Sequence, residues 1–167
     1  MSGMFRDRSS AEKAYESMHS RGYGKDDVNL LMSDDTRKTH FGDDSAHTEL
    51  GDKAMEGAGV GSAIGGTAGA IIGAIAAIGT SIALPGLGLI IAGPLAAALA
   101  GAGAGGLTGG LVGALVGSGI PEEHAAEYES GIKDGGIVMG VKPRNAEDAK
   151  YFEDEFRRNN GDKIYKY

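Results

Sequence analysis

The chain has 167 residues and a formal net charge of −7, with 23% charged and 41% hydrophobic residues and no cysteine. The lack of thiols excludes disulfides, thiolate catalysis and cysteine-ligated zinc. The acidic balance lacks the basic footprint on which phosphate backbones or anionic headgroups dock, so no nucleic-acid partner is expected and any membrane contact must be apolar.

From the start, Met1 to Asp7 shows no basic stretch followed by an apolar one, so no cleaved secretory signal is expected and the chain is placed in the cytoplasm or on its membrane. Gly3 to Arg6 predicts a short strand. Ser9 predicts a helix cap, with Glu12 completing a capping box, and Ala11, Ala14, Tyr15 and Met18 recur at helical spacing before Arg21-Gly22 stops the helix. Val28 to Met32 reads as an apolar strand, which completes a βαβ pattern. Ser33 to Arg37 reads as a polar capped turn leading to His40, Phe41 and Gly42.

The 65 residues from Gly57 to Pro121 then contain no Asp, Glu, Lys or Arg, whereas the flanks 1–56 and 122–167 carry net charges of −4 and −3. Glycine in a helix costs about 1 kcal/mol relative to alanine, so a glycine-dense helix needs a close contact in return. The spacing supplies one. Gly57, Gly61, Gly65, Gly69 and Gly73 recur every fourth residue, as do Gly101, Gly105, Gly109, Gly113 and Gly117. Each row makes a thin stripe along which another helix backbone can approach. Bulky residues keep to other faces: Ile71, Ile75, Ile78 and Ile82 on one helix, Leu107, Leu111 and Leu115 on the next.

The two glycine rows are mirrored about Leu87, inside the turn signal Pro85-Gly86-Leu87-Gly88. An antiparallel helical hairpin is therefore expected, with Gly93-Pro94 kinking its second arm or starting that arm's main helix. The arms, Ala58 to Leu84 and Pro94 to Ser118, would be about 40 and 37 Å long as helix, and either exceeds the ~30 Å hydrocarbon core of a bilayer. Burial in a membrane and burial inside an oligomer core are both consistent with this pattern. In either case an apolar surface of that size calls for self-association.

After the block, Pro121 suits a first helical turn, Glu122 and Glu123 favour its positive end, and Ala125, Tyr128 and Ile132 mark the buried face. Ile137 to Val141 predicts a strand. Asn145 predicts the cap of a helix with Ala149, Phe152 and Phe156 on its apolar side, Gly161 ends that helix, and Lys163 to Tyr167 reads as an edge strand. Two βαβ halves predict an α+β fold of the ferredoxin-like kind, interrupted by the glycine-zipper hairpin. The expected parts are 1–56, 57–120 and 121–167.

Chemistry-bearing patterns are sparse. Gly101, Gly103 and Gly106 fit GxGxxG but lie inside an apolar stretch without a preceding strand, and read as zipper glycines. His19, His40, His47 and His124 have no metal-ligand spacing, and the pairs Asp26-Asp27, Asp34-Asp35 and Asp43-Asp44 lack EF-hand spacing and read as turns. No catalytic residue, cofactor, metal or small-molecule substrate is assigned.

The segments Phe5-Arg6-Asp7-Arg8-Ser9-Ser10-Ala11-Glu12-Lys13-Ala14, Gly22-Tyr23 and Val28 to Arg37 resemble the bacterial heat-induced, or general, stress protein domain of the YflT type. Ala83-Leu84-Pro85-Gly86-Leu87-Gly88, Gly119 to Glu123 and Gly135-Gly136-Ile137-Val138 are similar to the related low-temperature-induced proteins. The resemblance implies a stress-linked, non-enzymatic role. The expectation is a homo-oligomer whose hairpins pack in the bacterial cytoplasmic membrane, both termini on the cytoplasmic side. The alternative is a cytoplasmic structural assembly (ring, filament or shell) with hairpins buried between subunits, holding lipid or apolar cargo.

Overall fold

The computed structural model describes residues 1–24, 26–41, 82–84, 88–97, 110–117 and 120–167. Their strands are β1 (Ser2–Phe5), β2 (Val28–Ser33), β3 (Ile82–Leu84), β4 (Leu89–Ala92), β5 (Ile137–Val141) and β6 (Asp162–Tyr165). Their helices are α1 (Arg8–Ser20), α2 (Asp34–Phe41), α3 (Gly110–Gly117), α4 (Glu122–Lys133) and α5 (Ala146–Arg158). The chain is mixed α+β with one antiparallel sheet in the order β3-β4-β2-β5-β1-β6.

The sheet interlocks the two ends of the sequence. β5 lies between β2 and β1, pairing Leu30 with Met139 and Met4 with Val138. Alternation along each strand then sorts side chains to two faces. Phe5, Leu30, Met32, Ile137 and Met139 join Ala14 and Met18 of α1 and Phe152 and Phe156 of α5 in one core. Met4, Leu31, Val138, Leu89 and Ile91 join Leu111 and Leu115 of α3 and Ala125, Tyr128 and Ile132 of α4 in the other. Covering both faces explains why β2, β4 and β5 are almost continuously apolar. Gly131 lets α4 settle onto the sheet, since a Cβ there would stand 2.1 Å from Met4 Sδ.

Several local expectations are corrected. Asp7, not Ser9, caps α1: its side chain accepts the Ser10 amide at 2.9 Å, and Glu12 is drawn into an ion pair with Arg8 at 2.6 Å instead of closing a capping box. The chain leaves β1 at Phe5, so the first extended residue able to cap is Asp7. Ser33 to Arg37 is not a turn but the start of α2, because Ser33 Oγ accepts the Thr36 amide at 2.9 Å and Asp34 and Asp35 occupy the helix's positive end. The cap at Asn145 is as expected, accepting the Asp148 amide at 2.7 Å.

The largest departure concerns the stretch around Leu87. Ile82–Leu84, expected as the end of the first helical arm, is a strand: it pairs with Leu89–Ala92, which lies between the two expected arms and itself pairs with β2, Leu30 opposite Ala92 and Ser33 opposite Leu89. β-Branched Ile82, Ile90 and Ile91 suit a pleated surface, and β2 offers an open edge to pair with. Residues 94–97 are helical, with Pro94 in the first turn.

Candidate functional site

Of the expected zipper glycines, Gly57, Gly61, Gly65, Gly69, Gly73, Gly101, Gly105 and Gly109 lie outside the described residues, as do Pro85 and Gly86 of the turn, the GxGxxG stretch, His47 and Asp43-Asp44. Gly113 and Gly117 fall in α3, and Gly88 immediately precedes β4.

Helix α3 buries its leucines and leaves Gly113 open. Leu111 and Leu115, one turn apart, are buried in the core shared with α4, while Val116 is 41% exposed. No described atom lies within 4 Å of the place a Cβ would take at Gly113. The leucine face is thus docked on the chain's own α+β layer, and the glycine position points away from it.

Gly88, with φ +60°, turns the chain into β4, and its carbonyl accepts the Asp34 amide at 2.7 Å, which ties this turn to the start of α2. Beside it lies a shallow hollow of about 470 Å³ bordered by Ser33, Thr36, His40, Lys133 and Asp134. Three of its polar side chains are committed locally. Ser33 Oγ caps Thr36 and lies 2.7 Å from Thr36 Oγ1, and Lys133 reaches Glu129 at 3.1 Å. A second hollow, about 440 Å³, lies beside Asn29, Leu95, Ile120 and Lys142. There Asn29 Oδ1 accepts the Leu95 amide at 2.7 Å, so a side chain near the start of β2 caps the helical turn after Gly93. Sequence reasoning passed over Asn29; the signal was a lone amide inside the apolar run Val28 to Met32.

Two polar networks join elements distant in sequence. Asp148 accepts from Tyr23 Oη at 2.7 Å, Arg21 Nη1 at 2.7 Å and Asn145 Nδ2 at 3.0 Å. The Tyr23 hydroxyl in turn accepts the Arg144 amide at 2.7 Å, and the Arg144 guanidinium lies 4.2 Å above the Tyr23 ring centre. The Tyr23 hydroxyl and the Arg21 guanidinium hold the Asp148 carboxyl below its usual range. Every polar group here has a partner, and the arrangement locks the end of α1 to the start of α5.

In the second network, Tyr128 Oη lies 2.7 Å from Ser2 Oγ and 2.8 Å from the Lys163 carbonyl. A phenol has one proton and a carbonyl can only accept, so Tyr128 donates to Lys163 and accepts from Ser2. Burial raises its pKa. The His124 ring stacks on Tyr165, centroids 3.5 Å apart and planes 9° from parallel, and its Nδ1 is buried with no hydrogen-bond partner among the described residues. The Tyr165 hydroxyl meets Glu127, whose carboxylate, with partial burial, pushes the phenol up to about 12. These contacts pin β6 onto α4. Among the described residues no group of His, Asp and Glu is placed to hold a metal.

No protein-family model, no curated protein and no solved structure matches the chain.

Proposed function

We propose that the chain is a non-enzymatic, stress-associated protein that self-assembles through its glycine-rich helices, carried by a ferredoxin-like α+β domain that the apolar block interrupts. The observation that carries this reading is the orientation of α3: its leucines are spent on its own domain, while Gly113 and Val116 face outward. An open glycine position on a helix without charged residues suits close approach by a second helix. The ferredoxin-like assignment is supported by the strand order β2-β5-β1-β6, with α1 and α5 together on one face. The stress association rests on the sequence resemblance alone.

Between the two environments, we adopt the assembly rather than the two-pass membrane hairpin. A hairpin crossing a bilayer and turning at Leu87 would carry residues 82–92 to the side opposite the flanks, yet β4 pairs with β2 of the first flank. The twelve residues between Ala97 and Gly110 would reach only about 18 Å if helical, short of the ~30 Å hydrocarbon core. Among the described residues no helix is long and apolar enough to cross a membrane. Copies buried against one another, enclosing lipid or apolar cargo, satisfy the same hydrophobic demand without a crossing.

Lysis without detergent, followed by ultracentrifugation and electron microscopy of the supernatant, tests the choice. Regular multi-subunit particles without bilayer are expected. Quantitative pelleting with membranes and release only by detergent would restore the membrane reading, and a species of single-chain mass would end both.

A further inference from the structure

The sequence holds four asparagines, and only Asn160 is followed by glycine. Helix α5 ends at this pair. Asn159 is the C-cap; Asn160 follows with φ +56° and donates its amide to the Arg157 carbonyl at 3.2 Å, and the Gly161 amide donates to the Phe156 carbonyl at 2.6 Å. This is a Schellman ending, and its last two residues each have a physical reason, one conformational and one of packing. Asparagine enters the left-handed region more readily than most side chains. Gly161 is dictated by space, since a Cβ there would stand 2.5 Å from the Phe156 carbonyl oxygen and 3.2 Å from Phe5 Cε1. Together these demands produce the dipeptide in which an asparagine side chain is most open to attack by the next backbone amide, because glycine puts no side chain beside that nucleophile.

We propose that Asn160 is a site of spontaneous modification to aspartate and isoaspartate, gated by the hydrogen bond that holds the Gly161 amide. In the first step Gly161 N bonds to Asn160 Cγ and the Cγ–Nδ2 bond breaks. Nδ2 leaves as ammonia with the proton that the Gly161 amide gives up. Water then opens the cyclic imide. Cleavage of the bond to Cγ gives aspartate; cleavage of the bond to the main-chain carbonyl carbon leaves the chain running through the side chain as isoaspartate. Water is the only co-reactant, and nothing is oxidised or reduced. Asn160 is exposed, so water is at hand, but its attacker is engaged with Phe156 until the helix end opens.

Both products disturb the joint between α5 and β6. Aspartate adds negative charge at the negative end of the helix dipole, two residues from Asp162. Isoaspartate lengthens the main chain by one carbon just ahead of β6, whose register against β1 already shifts between Ser2 and Met4.

The full chain, incubated at mildly alkaline pH either folded or in guanidinium chloride, tests the site when its peptides are followed by mass spectrometry and by isoaspartyl methyltransferase labelling. Asn160 is expected to convert ahead of Asn29, Asn145 and Asn159, at least about ten-fold faster in denaturant than in the folded chain. Asn160→Asp, the direct product, is expected to unfold at lower denaturant than the parent. Conversion of another asparagine first, equal rates in the two conditions, or an unchanged Asn160 in denaturant overturns the proposal. An Asn160→Asp chain as stable as the parent overturns the stated consequence.

Discussion

The Tyr23 hydroxyl donates a 2.7 Å hydrogen bond to Asp148, joining the loop after α1 to the first turn of α5 across 125 residues of sequence. The same carboxylate receives Arg21, and the Tyr23 ring lies under Arg144. Two elements that share a sheet face are thereby fixed at their ends as well as through their cores.

Acid should loosen this joint. The folded pKa of Asp148 is depressed, first by Tyr23 and then by Arg21, so its contribution to stability is fully present above the ordinary value of 3.8 and is lost as pH falls from there toward the folded value. Asp148→Asn should flatten that part of the acid limb in a denaturation series from pH 6 downward. An unchanged limb would show that other carboxylates dominate it.

Asn29→Ala removes the acceptor for the Leu95 amide and should cost about 1 kcal/mol in chemical denaturation, whereas Asn29→Asp, which keeps an acceptor oxygen, should cost less. Equal losses in the two variants would assign the role of Asn29 to packing.

Gly93 has φ +99°, and a Cβ there would stand 2.2 Å from the Val28 carbonyl oxygen. Gly93→Ala combines strain with a backbone clash and should cost about 2 kcal/mol or more, read from the denaturation midpoint. A near-neutral result would mean that β4 does not run against β2 as described.

The flanks were largely legible in the sequence because their signals are local. Asn145, Phe152 and Phe156 identify α5 by a cap and a periodic face, and the run Ile137 to Val141 is apolar enough to declare a strand. What escaped depends on partners far along the chain. Ile82–Leu84 and Leu89–Ala92 sit in an uncharged, glycine-rich stretch with no strand signal of its own, and they are strands because β4 pairs with the edge of β2 and β3 pairs with β4. Ser9 and Asp7 are both good caps; the exit point of β1 chose between them. At the candidate association surface the four-residue glycine spacing was plain, but which face of α3 the domain would cover was not. That required knowing that Leu111 and Leu115 fill the layer beside α4.

The central claim is that the outward glycine face of α3 joins copies of the chain, and Gly113→Leu tests it most directly. A Cβ at that position meets no described atom, so the fold of the single chain should change by no more than about 0.5 kcal/mol. Sedimentation velocity without detergent should show the parent chain as a multi-subunit species and Gly113→Leu shifted to smaller mass, because the larger side chain holds the facing helix away. An identical mass distribution for the two proteins, with the variant folded, would contradict the account.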